Sequence, residues 1–250
     1  TFKNVSSNSI FTCDFINNTA ALFGGGVNYR QTPHNITFNS NFINNKAENG
    51  GGVNFFENFE NVIFNGEFIG NTADYGGAIA VTDGIIENAS FKNNHAKSGG
   101  AIYFYGNGMV INSNFTSNTA NDADDSCGGA IYFEGNGTVL GSKFISNSAR
   151  DDGGAVYIWR NGTIEGSNFS DNEAQNGGSV NIHGAGEVNN CNFTNNKART
   201  GGAIEFWNVG IVKNSIFNSN VGRYGGGAIY SSNDIKINDS ESEKRIKESK

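Results

Sequence analysis

Glu134 and Glu205 are the carboxylates best placed for general acid–base work, each a few residues after a Gly-Gly pair, at Gly128 and Gly201. Paired glycosidase carboxylates stand about 5–9.5 Å apart. These two lie three repeats apart, and stacked strands about 4.8 Å from one another would separate them by roughly 14 Å. That distance is too long for a glycosidase pair. His34, His95 and His183 fall at unrelated places in their repeats, so they suggest neither a dyad nor a metal set. Arg30 has no basic companion in its slot, as polysaccharide lyase chemistry would want. Asp122, Asp124 and Asp125, followed by Asp151 and Asp152, gather hard oxygen ligands suited to calcium. A solvated acidic loop partly offset by Arg150 is the competing reading. No other cofactor is suggested.

Aromatic residues give a second chemistry. Tyr103, Tyr105, Tyr132, Tyr157, Trp159 and Trp207 each stand four or six residues after the first glycine of a Gly-Gly pair. In a strand these positions share one face, so they should form an outward aromatic platform. Such a platform suits the apolar faces of sugar rings or a partner protein. Alternatively, it is a cross-strand ladder that only stabilises a sheet.

The elements that would hold these residues are set by a repeat. Gly-Gly pairs open at Gly24, Gly50, Gly76, Gly99, Gly128, Gly153, Gly177, Gly201 and Gly226, a period close to 25 residues. Before each pair runs Phe-x-x-Asn, as in Phe115/Asn118, Phe144/Asn147 and Phe169/Asn172. After each pair comes strict alternation, with Ile102 and Phe104 on one side and Ala101, Tyr103 and Tyr105 on the other. This is the signature of a half-buried strand. A β-branched slot follows at Val110, Val139, Ile164, Val188 and Val212. Asn, Gly and Ser interrupt every 3.6-residue period, so no helix is expected.

Three short strands and three corners per repeat describe one rung of a parallel β-solenoid. Nine rungs would make a rod roughly 40 Å long. The Phe should stack in an inner column and the Asn should form a rung-to-rung amide ladder, with Asn tolerating the left-handed corner. The glycine pair should make a corner with positive φ and close backbone approach. Between Phe115 and Gly128 the spacing is 13 residues, against 8 or 9 elsewhere, so the acidic stretch is an insertion in one rung.

Composition limits the partners. The 250-residue chain has a net charge of −7, which speaks against nucleic acid or an anionic membrane surface. No apolar run approaches the roughly 18 residues of a membrane span. Cys13 and Cys191 share a slot and Cys127 lies elsewhere, so three free thiols are expected, the first two as small core fillers. Residues 1–240 read as one repeat domain, a segment of a longer protein, and 241–250 as a charged tail or linker.

GGAI at 76–79, 99–102, 128–131, 201–204 and 226–229, paired with FxxN, resembles the repeat of chlamydial polymorphic outer membrane proteins. The Asn-rich, proline-poor version also resembles adhesin-like surface proteins of methanogenic archaea. The resemblance implies an all-β fold, a right-handed parallel β-helix. It also implies an extracellular, cell-surface location and attachment to a surface glycan or a host or partner-cell protein. The alternatives are a carbohydrate-active β-helix enzyme, a lyase or hydrolase, and a purely structural spacer.

Overall fold

The computed structural model describes residues 9–30, 34–57, 60–122 and 125–238. The charged tail and Asp124 lie outside the described residues. Every described strand pairs in parallel with its equivalent one repeat away, and the described residues contain no helix. The chain is an all-β solenoid with three main faces and about nine turns.

The first face, here the Tyr sheet, has nine strands from Val27–Tyr29 to Ile229–Ser231, each leaving a glycine pair. The second, the Val sheet, has seven strands from Gly84–Glu87 to Ile235–Asn238. A separate three-stranded sheet of Ser9–Phe11, His34–Phe38 and Glu60–Phe64 precedes it. The third, the Phe sheet, has nine strands from Phe15–Ile16 to Ile216–Asn218. Pairing is like on like: Phe91 opposite Phe115, Phe115 opposite Phe144, Ile102 opposite Ile131.

Register turns sequence identity into packing. Phe42, Phe68, Phe91, Phe115, Phe144, Phe169 and Phe193 are sealed from solvent. Their rings stack almost parallel, as at Phe115–Phe144 with 4.8 Å between centroids. Val110, Val139, Ile164 and Val188 from the Val sheet and the Ile, Val and Phe of the Tyr sheet close the core.

Beside the Phe column runs the amide ladder. Asn118 Nδ2 donates to Asn147 Oδ1 at 3.0 Å and to the Phe91 carbonyl at 3.1 Å, and Asn118 N donates to the same Asn147 Oδ1. Asn147 repeats the pattern toward Asn172 and Phe115. Each buried amide therefore uses two donors and two acceptor positions, its full capacity.

The left-handed residue at this corner is the one before the ladder Asn, not the ladder Asn itself: Asn44, Gly70, Asn93, Ser117, Ser146, Asp171, Asn195 and Ser219 have positive φ. The shift has a physical reason. That preceding side chain points outward and is free to be Asn, Ser, Asp or Gly, whereas the ladder amide must point inward. The two glycines of each pair serve different needs. Gly128 has φ of +67°, and a Cβ there would lie 2.3 Å from the Ile131 carbonyl oxygen. A Cβ on Gly129 would lie 2.0 Å from the Gly154 carbonyl oxygen of the next rung. The first glycine supplies the turn and the second permits the stacking.

Phe144→Ala should cost about 3–5 kcal/mol through cavity formation. Asn147→Ala should cost about 3 kcal/mol or more, because it strips the acceptor from two buried Asn118 donors and the donor from the Phe115 carbonyl. Asn136→Ala, in the exposed ladder that links Asn107, Asn136 and Asn161, should be nearly neutral. Thermal unfolding of the three variants checks the order.

Candidate functional site

The outward side of the Tyr sheet is two slots with different fates. The first holds Asn28, Asn54, Ala80, Tyr103, Tyr132, Tyr157, Asn181, Glu205 and Tyr230. It faces the segment that enters each glycine corner, which folds back over it except at Tyr230 in the last rung, 37% exposed. Tyr75 packs edge-on against Tyr103 at 5.2 Å, and Thr200 bonds Glu205. Tyr103 is 7% exposed, Tyr157 4% and Glu205 4%, with Tyr132 half-buried between its neighbours. The expected platform of exposed Tyr103, Tyr132 and Tyr157 is therefore corrected. These rings form a covered stack, with Tyr103–Tyr132 centroids 4.7 Å apart and Tyr132–Tyr157 4.9 Å apart. Burial raises all three phenol pKa values well above the ordinary range.

The second slot is open. Tyr105, Trp159 and Trp207 are each about 40% exposed. Trp159, His183 and Trp207 stand on three successive rungs and stack into one ribbon, with Trp159–His183 at 4.4 Å and His183–Trp207 at 5.3 Å. The structure thus joins Trp159 and Trp207 through His183, which its lone position in the sequence had set aside. Tyr105 is separate from the ribbon, with Glu134 in the rung between. Its hydroxyl donates to Asn49 Oδ1, and burial raises its pKa to about 12.

Among the described residues, Asp122, Asp151 and Asp152 face different partners. Asp122 pairs with His95 Nε2 at 2.8 Å. Asp151 accepts from Gln175 Nε2 and Ser126 N, and Asp152 from Asn176 Nδ2 at 2.8 Å. Asp125 is exposed at φ of 64°, and Asp124 lies outside the described residues. Among the described residues no three His, Cys, Asp or Glu side chains converge as a metal set.

A half-buried polar relay runs beside the glycine corners. Thr200 Oγ1 lies 2.9 Å from Asn176 Oδ1 and 2.6 Å from Glu205 Oε2, yet it has one proton to give. A neutral Glu205 resolves the conflict: its acid proton goes to Thr200, Thr200 donates to Asn176, and Asn176 donates to Asp152. Burial raises the Glu205 pKa to about 7, with the Asp152 charge adding to it, and burial also raises Asp152. Neither amide atom of the neighbouring Asn181 has a hydrogen-bond partner among the described residues. Glu134 is exposed and accepts from the Tyr103 hydroxyl at 3.3 Å. Glu134 and Glu205 therefore occupy opposite environments rather than one site.

Sequence reading missed a second ladder, two residues before each Phe. Ser113, Ser142 and Ser167 hydroxyls accept backbone N–H bonds from the preceding rung. Cys191 continues this ladder: its sulfur accepts from Ser167 N at 3.4 Å, and burial raises its pKa to about 11. Cys13 shares the slot but is exposed, which corrects its expected role as core filler. Cys127 is buried beside Asp152, and burial raises its pKa.

A glycine-cornered, amide-laddered stack of this kind defines a repeat β-solenoid. Its repeats are of the Chlamydia polymorphic membrane protein type: that repeat model matches residues 88–105, 112–137 and 214–232. Each match runs from a Phe-x-x-Asn strand or the corner before it into a Gly-Gly-Ala-Ile strand, and together they cover about a quarter of the chain. No curated protein and no solved structure matched the chain.

The Glu205 shift has a definite sign. A carboxyl whose folded pKa of about 7 exceeds its unfolded value of 4.5 stabilises the fold fully below pH 4.5 and loses that contribution as pH rises through 7. Glu205→Gln should remove this slope, worth about 3 kcal/mol between the two limits. Unfolding midpoints of both proteins from pH 5 to 8 check it. Tyr132→Ala, which breaks the covered stack, should also lower the midpoint, whereas Trp159→Ala should leave it nearly unchanged.

Proposed function

We propose that this chain is a cell-surface, adhesin-like rod whose Trp159–His183–Trp207 ribbon binds the apolar faces of sugar rings. Polymorphic membrane protein-type repeats on a β-solenoid fit a surface adhesin-like repeat protein. The observation that carries the reading is the exposed ribbon of stacked rings on a sheet held by the amide and Phe columns. Indole and imidazole faces at rung spacing offer flat apolar area with polar edges, which is what a pyranose ring presents in return. A rigid sheet also limits the ordering cost of binding.

Binding is favoured over catalysis. Glu205 is buried and engaged by Thr200, and Glu134 lies three rungs away at the surface. We read the role of the chain as attachment rather than turnover, with no cofactor.

A glycan array and a reducing-sugar assay test this together. Wild-type protein should bind a subset of glycans without releasing product. Trp159→Ala/Trp207→Ala should lose that binding at an unchanged unfolding temperature. Product release would overturn the adhesin reading, and unchanged array binding by the folded double variant would remove the ribbon from it. Silence of the wild type on the array would favour a spacer.

A further inference from the structure

On another side of the rod, the positions flanking the small residue after each ladder Asn form a groove across four rungs. Its floor is Ala149, Ala174 and Ala198, and its volume is about 430 Å³, within the range of small-ligand sites. Its walls carry Arg150, Lys197, Arg199 and Arg223. The chain has 17 Lys and Arg against 24 Asp and Glu, so four cations in one groove oppose the charge of the whole molecule. Arg199 is held in place, 3.2 Å from Gln175 Oε1 and with its guanidinium 5.3 Å from the Tyr224 ring centre, while remaining exposed.

From this geometry we infer a second binding site, one for an acidic polysaccharide bearing carboxylate or sulfate groups. Arg150, Arg199 and Arg223 stand in one column, on the sixth, eighth and ninth rungs. Arg199 and Arg223, one rung spacing of about 4.8 Å apart, present planar donors suited to bidentate pairing with carboxylate or sulfate. A linear glycan lying along the rod would offer its anionic groups as a similarly regular row. The rest of the wall also favours sugar over a nucleic acid backbone. Glu173 in the opposite column, exposed and between rungs bearing cations, interrupts the positive row and so suits a ligand whose anionic groups are spaced by neutral sugar hydroxyls over one charged at every unit. Together with Ser148 it can accept or donate to sugar hydroxyls. The alanine floor lets a flat ring approach closely. The acidic remainder of the chain would repel an extended polyanion outside the groove and so confine the ligand to it.

The groove shares no residue with the aromatic ribbon, so the two sites stand or fall separately. The test titrates heparin, hyaluronate and dextran oligosaccharides, and a short DNA duplex, into the protein by calorimetry at low and high salt. Heparin and hyaluronate should bind, with affinity falling as salt rises, while dextran and DNA bind much more weakly. Arg199→Gln/Arg223→Gln should weaken the acidic glycans roughly ten-fold or more and reduce the salt dependence. Trp159→Ala/Trp207→Ala should leave this binding unchanged. Equal binding of dextran, tighter binding of DNA, no binding of either acidic glycan, or full heparin affinity in a folded Arg199→Gln/Arg223→Gln variant would each overturn the proposal. Hyaluronate binding separates carboxylate recognition from a site that takes sulfate alone.

Discussion

A carboxamide sealed from water calls for partners at its hydrogen-bonding positions, and for the ladder Asn of this rod they come from the rungs on either side. Asn118, Asn147, Asn172 and Asn196 each hand Nδ2 and backbone N–H to the next Oδ1, and each Nδ2 also reaches back to a Phe carbonyl one rung behind. A slip of one residue would turn every amide outward and every Phe out of its stack. The ladder therefore sets the register, and the register sets everything else. It makes the Phe rings stack in parallel planes and holds the residue before each Asn in the left-handed corner. It also brings the glycine pairs into column, where their backbones can pass.

Once register is fixed, each outward position becomes a column, and the columns differ by what covers them. The glycine corner returns the entering segment over the first outward slot of the Tyr sheet. Tyr103, Tyr157, Asn181 and Glu205 are thereby enclosed in a narrow second interior, outside the main core. Two residues on, Trp159 and Trp207 escape the same cover and remain in solvent. This second interior is chemically uneven. Aromatic rings fill it in the middle rungs, whereas farther along it holds Asn181, whose amide has no partner among the described residues, and an acid whose pKa burial raises to about 7. Such groups weaken a fold that would be more stable with apolar residues in their place. Their relay to Thr200, Asn176 and Asp152 shows how far hydrogen bonding offsets that cost.

The rod also sorts its charge by rung. Beside the ladder, the position after the small residue is Glu48 and Asp74 in early rungs, and Arg150, Arg199 and Arg223 in later ones. Backbone geometry is the same throughout, so the solenoid acts as a uniform frame on which surface chemistry varies independently. This column is thus acidic at Glu48 and Asp74 and basic at Lys97, Arg150, Arg199 and Arg223 without any change of fold.

The period, the three strands per rung and the inward columns were legible in the sequence, because inward-facing residues obey local alternation and identical positions must stack on one another. Phe115, Asn118, Phe144, Asn147, Phe169 and Asn172 follow from that rule alone. Which outward residues meet solvent was decided only by the tertiary structure. Tyr157 and Trp159 have equivalent claims in the sequence, yet one is covered and the other exposed. Cys13 and Cys191 share a slot, yet only Cys191 has a described serine rung on both sides to bury it. Asp122, Asp151 and Asp152 belong to one acidic stretch and its neighbouring rung, but each turns to a different partner. Alternation specifies the side of a strand a residue occupies. Exposure depends on what packs against that side, and here the covering groups come from the corner before the strand and from neighbouring rungs about 25 residues away.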